Sequence, residues 1–595
     1  MITRIYAISF AAFLALSACH SAPGPQSAAD KVDSVEAIAA DLWELSKKYN
    51  PIGASYRGER QYDAKLPNIS EEVRDIRRGE VEALQKRLRA IDSAQLQGQS
   101  RITAQVLADT LETRLQIEEA CQNATWDVDH MGGWQANLPQ LGTFQRVDSV
   151  QAAADYVTRL SGIAALLAQH QDNLRLGLAA NRLAPRIAVE RVIAQLGDML
   201  QKPVDASPYL RVLDRAAGLN AAEITKLKQD ITAIIEHGIR PALKGYQEFL
   251  SGEYLEKSRT AVGVSNIAGG RECYQAAIRL HTSSTKTPEE IHATGLAELE
   301  RLQTAMMKIV EKAGKKSIKE YIAALDADPA QHLTKREDLV PHNKKLVEKA
   351  YAALPRAFGR LPKAPVDVWP IEGFREAQSP AAYYNPPPDD GSRPAVYYIN
   401  TYKPETRPLY NMEALAYHEA VPGHHLQIAI AQELEGIPDV RRHGHVTAFV
   451  EGWGLYSEIV SEELGLYSSD ATRFGMLNYQ AWRACRLVVD TGMHALGWSR
   501  DKALQFMRDN LAFPDNEIAN EIDRYIIWPG QALAYMLGRM EFQRFRAKAE
   551  KALGDAFDVR AFHDTVLLNG ALPMPVVEQQ VDAWIKAGGP AFAEN

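Results

Sequence analysis

Apolar residues recur at helical spacing through most of this chain, and only one long stretch breaks the pattern. Val35 to Tyr49, Ile69 to Ile91, Ile102 to Ile117 and Val150 to Leu176 all carry it, as do Ala221 to Leu250, Thr287 to Ala313 and Ser317 to Ala324. Thr287-Pro288-Glu289-Glu290 reads as a helix start, with a capping side chain, Pro in the first turn and acids near the positive end of the helix dipole. From Leu361 to Tyr402 the texture changes to Pro, aromatic and β-branched residues. Val366 to Trp369 and Ala395 to Asn400 read as short strands, with a Pro- and Asp-rich loop, Asn385 to Arg393, between them. Helices resume at Met412. The pattern predicts a mostly α protein with a small sheet just before the most histidine-rich segment. At 595 residues the chain exceeds one compact core, so a helical N-terminal half (34–360) and a catalytic C-terminal half (361–595) are expected.

The N-terminus places the chain outside the cytoplasm. Arg4 precedes an apolar run, Ile5 to Leu16, that is too short to span a bilayer. It reads as a signal peptide over 1–18. Leu16-Ser17-Ala18-Cys19 resembles the bacterial lipobox, which predicts lipidation of Cys19 and a polar tether over 19–33. Residue 20 is His, not the Asp of inner-membrane retention, so an outer-membrane anchor facing the periplasm is expected. Membrane contact is expected through that anchor alone. The net charge of −8 and the lack of a clustered basic stripe argue against nucleic acid. Cys121, Cys273 and Cys485 show no metal-knuckle spacing and read as small buried apolar residues.

The chemistry is concentrated in His418-Glu419-Ala420-Val421-Pro422-Gly423-His424-His425. A zinc peptidase needs two imidazoles aimed at one ion, a glutamate beside the first as general base, and a third ligand from a later helix. His418-Glu419 fits the first half of that pattern. The position four residues on is Pro422, however, and on an ideal helix His425 would lie two turns away, roughly 10 Å along the axis. The chain must bulge, and Pro422-Gly423 permits it. Absorbing two residues brings His424 into the ligand position, and absorbing three brings His425. His424 is preferred, with His425 as the alternative. Glu451, in a helix-like Phe449 to Glu458 segment, is the expected third ligand, and Glu458 reads as a supporting or surface acid. His443 and His445 read as solvated loop residues, and His563 as a packing or capping residue.

HEAVPGHHLQ, EGWGLYSE, RACRLVVDTGMHALGW and RYIIWPGQALAYMLG together resemble the bacterial "domain of unknown function 885" lipoproteins. More distantly, the arrangement is similar to the helical metallopeptidases related to angiotensin-converting enzyme, neurolysin and the thermostable carboxypeptidases. That resemblance implies a zincin-like helical body with a deep cleft, one Zn²⁺ per chain and a small sheet beside the active-site helix. It implies oxyanion donors among Tyr525, Tyr535 and His494, with Asp490 one turn from His494. It offers Arg524 for a substrate carboxylate, and Arg393, Tyr397 and Asn400 near an edge strand that pairs with a peptide. The expected activity is zinc-dependent hydrolysis of short peptides in the cell envelope. The alternatives are an amidase acting on another envelope amide and a non-catalytic peptide-binding lipoprotein. Oligomeric state is not indicated.

Overall fold

The computed structural model describes residues 34–373, 376, 379–511 and 513–591; the signal peptide, the tether and Cys19 lie outside the described residues. The protein is mostly α-helical with one three-stranded sheet. Several of its helices begin at side chains that cap them. Ser34 accepts the Ala37 amide ahead of Val35–Tyr49, and Thr287 and Glu290 form a reciprocal capping box ahead of Pro288–Lys312. The long Val150 to Leu176 pattern is two helices, Val150–Ser161 and Ile163–Ala179, parted at Gly162. Among the described residues no helix is long and apolar enough to cross a membrane.

Four large apolar clusters hold the body together. Val35, Ile38, Leu42, Val81 and Leu107 form one near the N-terminus, and Leu160, Leu167, Val192, Ile231 and Tyr246 form a second. The other two draw on both ends of the chain. One joins Cys273, Ile291 and Met306 to Leu487, Ile522 and Met536. The other joins Ile102 and Leu339 to Tyr397, Tyr417, Trp453 and Phe562. The site described below lies where these last two clusters meet.

The sheet has the order β1-β3-β2, with β1 Val366–Pro370, β2 Ala382–Asn385 and β3 Ala395–Ile399. β3 is parallel to β1 and antiparallel to β2. β2 lay unread in the sequence, where Tyr383-Tyr384-Asn385 merges into a run of prolines. The strand that carries Tyr397 is therefore central, and its backbone is paired on both sides. It cannot take up a peptide as an edge strand, which corrects that expectation; the free edges belong to β1 and β2.

Cysteine usage is also corrected. Cys121, at the end of Gly98–Cys121, is disulfide-bonded to Cys273 in the first turn of Gly270–Thr282, and among the described residues Cys485 is the free, buried thiol. The bridge spans 152 residues of chain. Closing so large a loop restricts the unfolded chain, so Cys273→Ser is expected to lower the free energy of unfolding by about 2–4 kcal/mol. Denaturant titration with and without reductant checks this. A wild-type midpoint that reductant does not move would show that the bridge contributes nothing.

Candidate metal centre

The site begins with an interrupted helix. Leu409–Glu419 stops at Glu419, and His424–Gln432 starts after four intervening residues. Between them the Val421–Pro422 peptide is cis. Gly423 folds back so closely that a Cβ there would stand 1.9 Å from the His418 carbonyl oxygen, which no larger residue tolerates. The break is tied down by the His425 amide donating to Ala420 O at 3.0 Å and by Trp453 Nε1 donating to Pro422 O at 2.9 Å. The imidazoles of His418 and His424 thereby meet edge to face, 4.7 Å apart at their centres.

Glu451 comes from the Thr447–Glu463 helix, which lies across both rings. Its carboxylate is 3.4 Å from His424 Nε2 and 3.9 Å from His418 Nε2. Ligand atoms of all three residues lie within 4.8 Å of one another. Gly454, one turn beyond Glu451, makes the approach possible. A Cβ there would stand 2.8 Å from His418 Cε1, 2.9 Å from His418 Nε2 and 3.0 Å from His424 Cε1. The three side chains are recessed but reachable, at 4%, 10% and 16% exposure.

These residues suit a divalent metal. Two nitrogens and an oxygen held about 2.0–2.1 Å from one tetrahedral ion stand roughly 3.3 Å apart, and Glu451 already lies 3.4 and 3.9 Å from the two ring nitrogens. Electrostatics agrees. Burial opposes ionisation of Glu451, yet the hydrogen bond from His424 and then the charges of His424, His418 and His445 hold its pKa far below the usual carboxylate range. Burial likewise opposes the charged form of His424, but Glu451, then Glu419, outweigh it and raise its pKa. The carboxylates thus favour positive charge at the centre.

A buried polar chain orients the first ring. His418 Nδ1 meets Glu458 Oε1 at 2.9 Å, which leaves Nε2 facing the centre. Gln480 Nε2 donates to Glu458 Oε2 at 2.8 Å, and Arg539 Nη1 donates to Gln480 Oε1 at 2.9 Å. Arg539 Nη2 ends the chain on Glu298 at 2.6 Å. Glu458 is fully buried and serves as the support of His418. Glu419, the last residue of its helix, has a mostly buried side chain whose carboxylate makes no hydrogen bond among the described residues.

Other residues singled out by sequence stand elsewhere. His425 turns away from the centre: Nδ1 pairs with Tyr384 Oη at 3.0 Å and Nε2 with Ala364 O at 2.9 Å, while burial lowers its pKa to about 4. His494 is spent on backbone, accepting the Val264 amide at 3.0 Å and donating to Tyr525 O at 2.9 Å. Asp490 accepts from Tyr274 Oη and the Gly530 amide. Tyr525 Oη is saturated by Arg486, Glu521 and Trp482. Tyr535 Oη accepts from Arg524, which also bonds Gln531 and faces Glu521. Tyr397 donates to Asn343 in the core, and Asn400 donates to the carbonyls of Glu376, Ser379 and Pro380. Arg393 lies over the Tyr56 ring. His563 is a packing residue, stacked on Phe358 and bonded to Tyr456.

His443 and His445 read from sequence as solvated loop residues, and the structure bears this out for His445 but not for His443. His443 is not solvated but stacks on Trp43. His445 keeps solvent access, yet it lies within electrostatic reach of the centre. Surrounding protein lowers its pKa against the pull of Glu451, and the charge of His424 adds to the lowering. His281, from a helix far upstream, bonds Thr447 and also feels His445. The one available signal was the position of His445, six residues before Glu451.

Comparison with known proteins agrees with this architecture. A crystal structure described as "the putative lipoprotein from Colwellia psychrerythraea" is 28% identical, covers 93% of this chain and 99% of its own, and superposes with a TM-score of 0.89. One described as "a putative lipoprotein of unknown function from Shewanella oneidensis" is 19% identical, covers 92% and 98%, and has a TM-score of 0.71; it shows a shared fold. No curated protein matches. Residues 51–581 match the family described as "Bacterial protein of unknown function (DUF885)", and the chain belongs to that family.

Proposed function

We propose that this protein is a zinc-dependent peptidase acting on short peptides in the cell envelope, tethered to the outer membrane through Cys19. The observation that carries the reading is the His418, His424 and Glu451 triad with the unengaged Glu419 carboxylate beside it. Two imidazoles and a glutamate are a donor set of hydrolytic zinc sites. The lipobox-like start and the lipoprotein descriptions of two similar structures support the anchoring half.

Zinc held by these three residues would supply Lewis-acid polarisation of the reacting carbonyl and water. The remaining work falls to the chain's own side chains. Glu419 accepts a proton from the attacking water at its carboxylate and delivers it to the leaving amine. Glu458 keeps His418 in the tautomer with Nε2 free, and Gly454 lets both rings sit against the Glu451 helix.

Elemental analysis of purified protein tests the reading. About one zinc per chain is expected in wild type and in His425→Ala, and none in His418→Ala, His424→Ala or Glu451→Ala. Chelation should abolish cleavage of a peptide library. Folded wild-type protein that takes up no zinc when offered it, or that cleaves equally well without metal, would refute the proposal.

A further inference from the structure

Three arginines gather beside the metal centre, and one of them has no acid at ion-pair distance among the described residues. Arg483 and Arg486 project from the Asp470–His494 helix, and their guanidiniums lie 4.8 and 4.6 Å from the centre of the same indole, Trp482. Arg486 also lies 4.4 Å from the Tyr535 ring, whose hydroxyl bonds Arg524. Glu521 pairs with Arg486 at 3.0 Å and with Arg524 at 3.5 Å. Among the described residues Glu521 is the one carboxylate at ion-pair distance from these guanidiniums, and it pairs with Arg486 and Arg524, not with Arg483.

Arg483 is the least satisfied of the three. It is only 6% exposed and forms no ion pair among the described residues. Among the described residues its one hydrogen bond is a long one, 3.3 Å, to Tyr479 O. Its Nε is buried without an acceptor, as are Arg486 Nη1 and Arg524 Nε. A buried cation with idle donors costs free energy unless an anion arrives to use them. Tyr479, Trp482 and Phe513 pack on one another around it, so an anion here would meet the charge in poorly hydrated surroundings.

Position ties this cation to the metal centre. Gln480, one turn before Arg483, is the residue that grips Glu458, the support of His418. The charge of Arg483 also acts on His424. We infer that Arg483, with Arg486 and Arg524 behind it, receives the free α-carboxylate of a peptide cut close to its C-terminus. This rests on the peptidase reading above. The planar fork of a guanidinium fits a carboxylate through paired N–H donors. Arg524, the residue favoured by sequence for this work, already bonds Tyr535, Gln531 and Glu521.

The test compares a short peptide acid with its C-terminal amide. Wild type should cleave the acid with a kcat/KM about 10- to 100-fold higher, most of it in KM, the scale of losing hydrogen bonds to a charged group. Arg483→Gln should erase the preference with zinc content unchanged, and Arg483→Lys should keep part of it. Equal cleavage of acid and amide by wild type, or an undiminished preference in Arg483→Gln, overturns the inference. Should neither peptide be cleaved, the peptidase reading falls and calorimetry on Glu419→Gln decides the subsite. Tighter binding of the acid, lost on adding Arg483→Gln, upholds it, and equal binding of acid and amide overturns it. Inorganic phosphate serves as competitor: displacement of the acid agrees with a shared oxyanion site, whereas phosphate binding with no acid–amide difference overturns the carboxylate assignment.

Discussion

Glu419→Gln is expected to lower turnover of a peptide substrate about 1,000-fold while leaving zinc content and thermal stability at wild-type levels. The substitution keeps size and shape but removes the basic oxygen. Glu419 closes the Leu409–Glu419 helix next to His418, and no hydrogen bond from the described residues engages its carboxylate. Little structure is therefore lost on making it neutral. Steady-state kinetics beside elemental analysis checks the expectation. Unchanged turnover with bound zinc would remove Glu419 from the chemistry, and lost zinc would make it part of the binding set instead.

Gly454→Ala is expected to weaken zinc binding about 10- to 100-fold, the range seen when the supports of metal ligands are disturbed. The added methyl carbon would stand 3.0 Å or less from atoms of both imidazoles, so the rings must shift by several tenths of an ångström. Competition against a chelating dye measures the affinity, and circular dichroism reports whether the helix persists. Since Ala favours helix over Gly by about 1 kcal/mol, the helix itself should not suffer. Wild-type zinc affinity in this variant would mean that the rings do not bind metal where they pack against Gly454.

Much of the fold was legible because local chemistry and tertiary demand agree. Val35–Tyr49 and the Thr287 capping box follow from spacing and side-chain hydrogen bonding alone. β2 was not legible, because Tyr383-Tyr384-Asn385 gains its strand character only by pairing with β3. The Cys121–Cys273 bridge was hidden by 152 residues of intervening chain. At the site, the residue types and the approach of Glu451 to the histidines could be read from the pattern, but the choice between His424 and His425 could not. It depends on how the chain closes over Gly423, a matter of contacts with His418 and Trp453. Tyr525 and His494 read as donors for catalysis because a sequence shows hydroxyls and imidazoles without showing who already holds them.

The chain from His418 to Glu298 has a polarity that its ends dictate. Arg539 can only donate, so the amide oxygen of Gln480 must face it, and the amide nitrogen must then face Glu458. An amide fixed this way gives up no proton and takes none. The row therefore acts as a strut and not as a proton wire. On the proposed mechanism, a proton taken up by Glu419 would have no exit along this path and would leave with the product or by solvent.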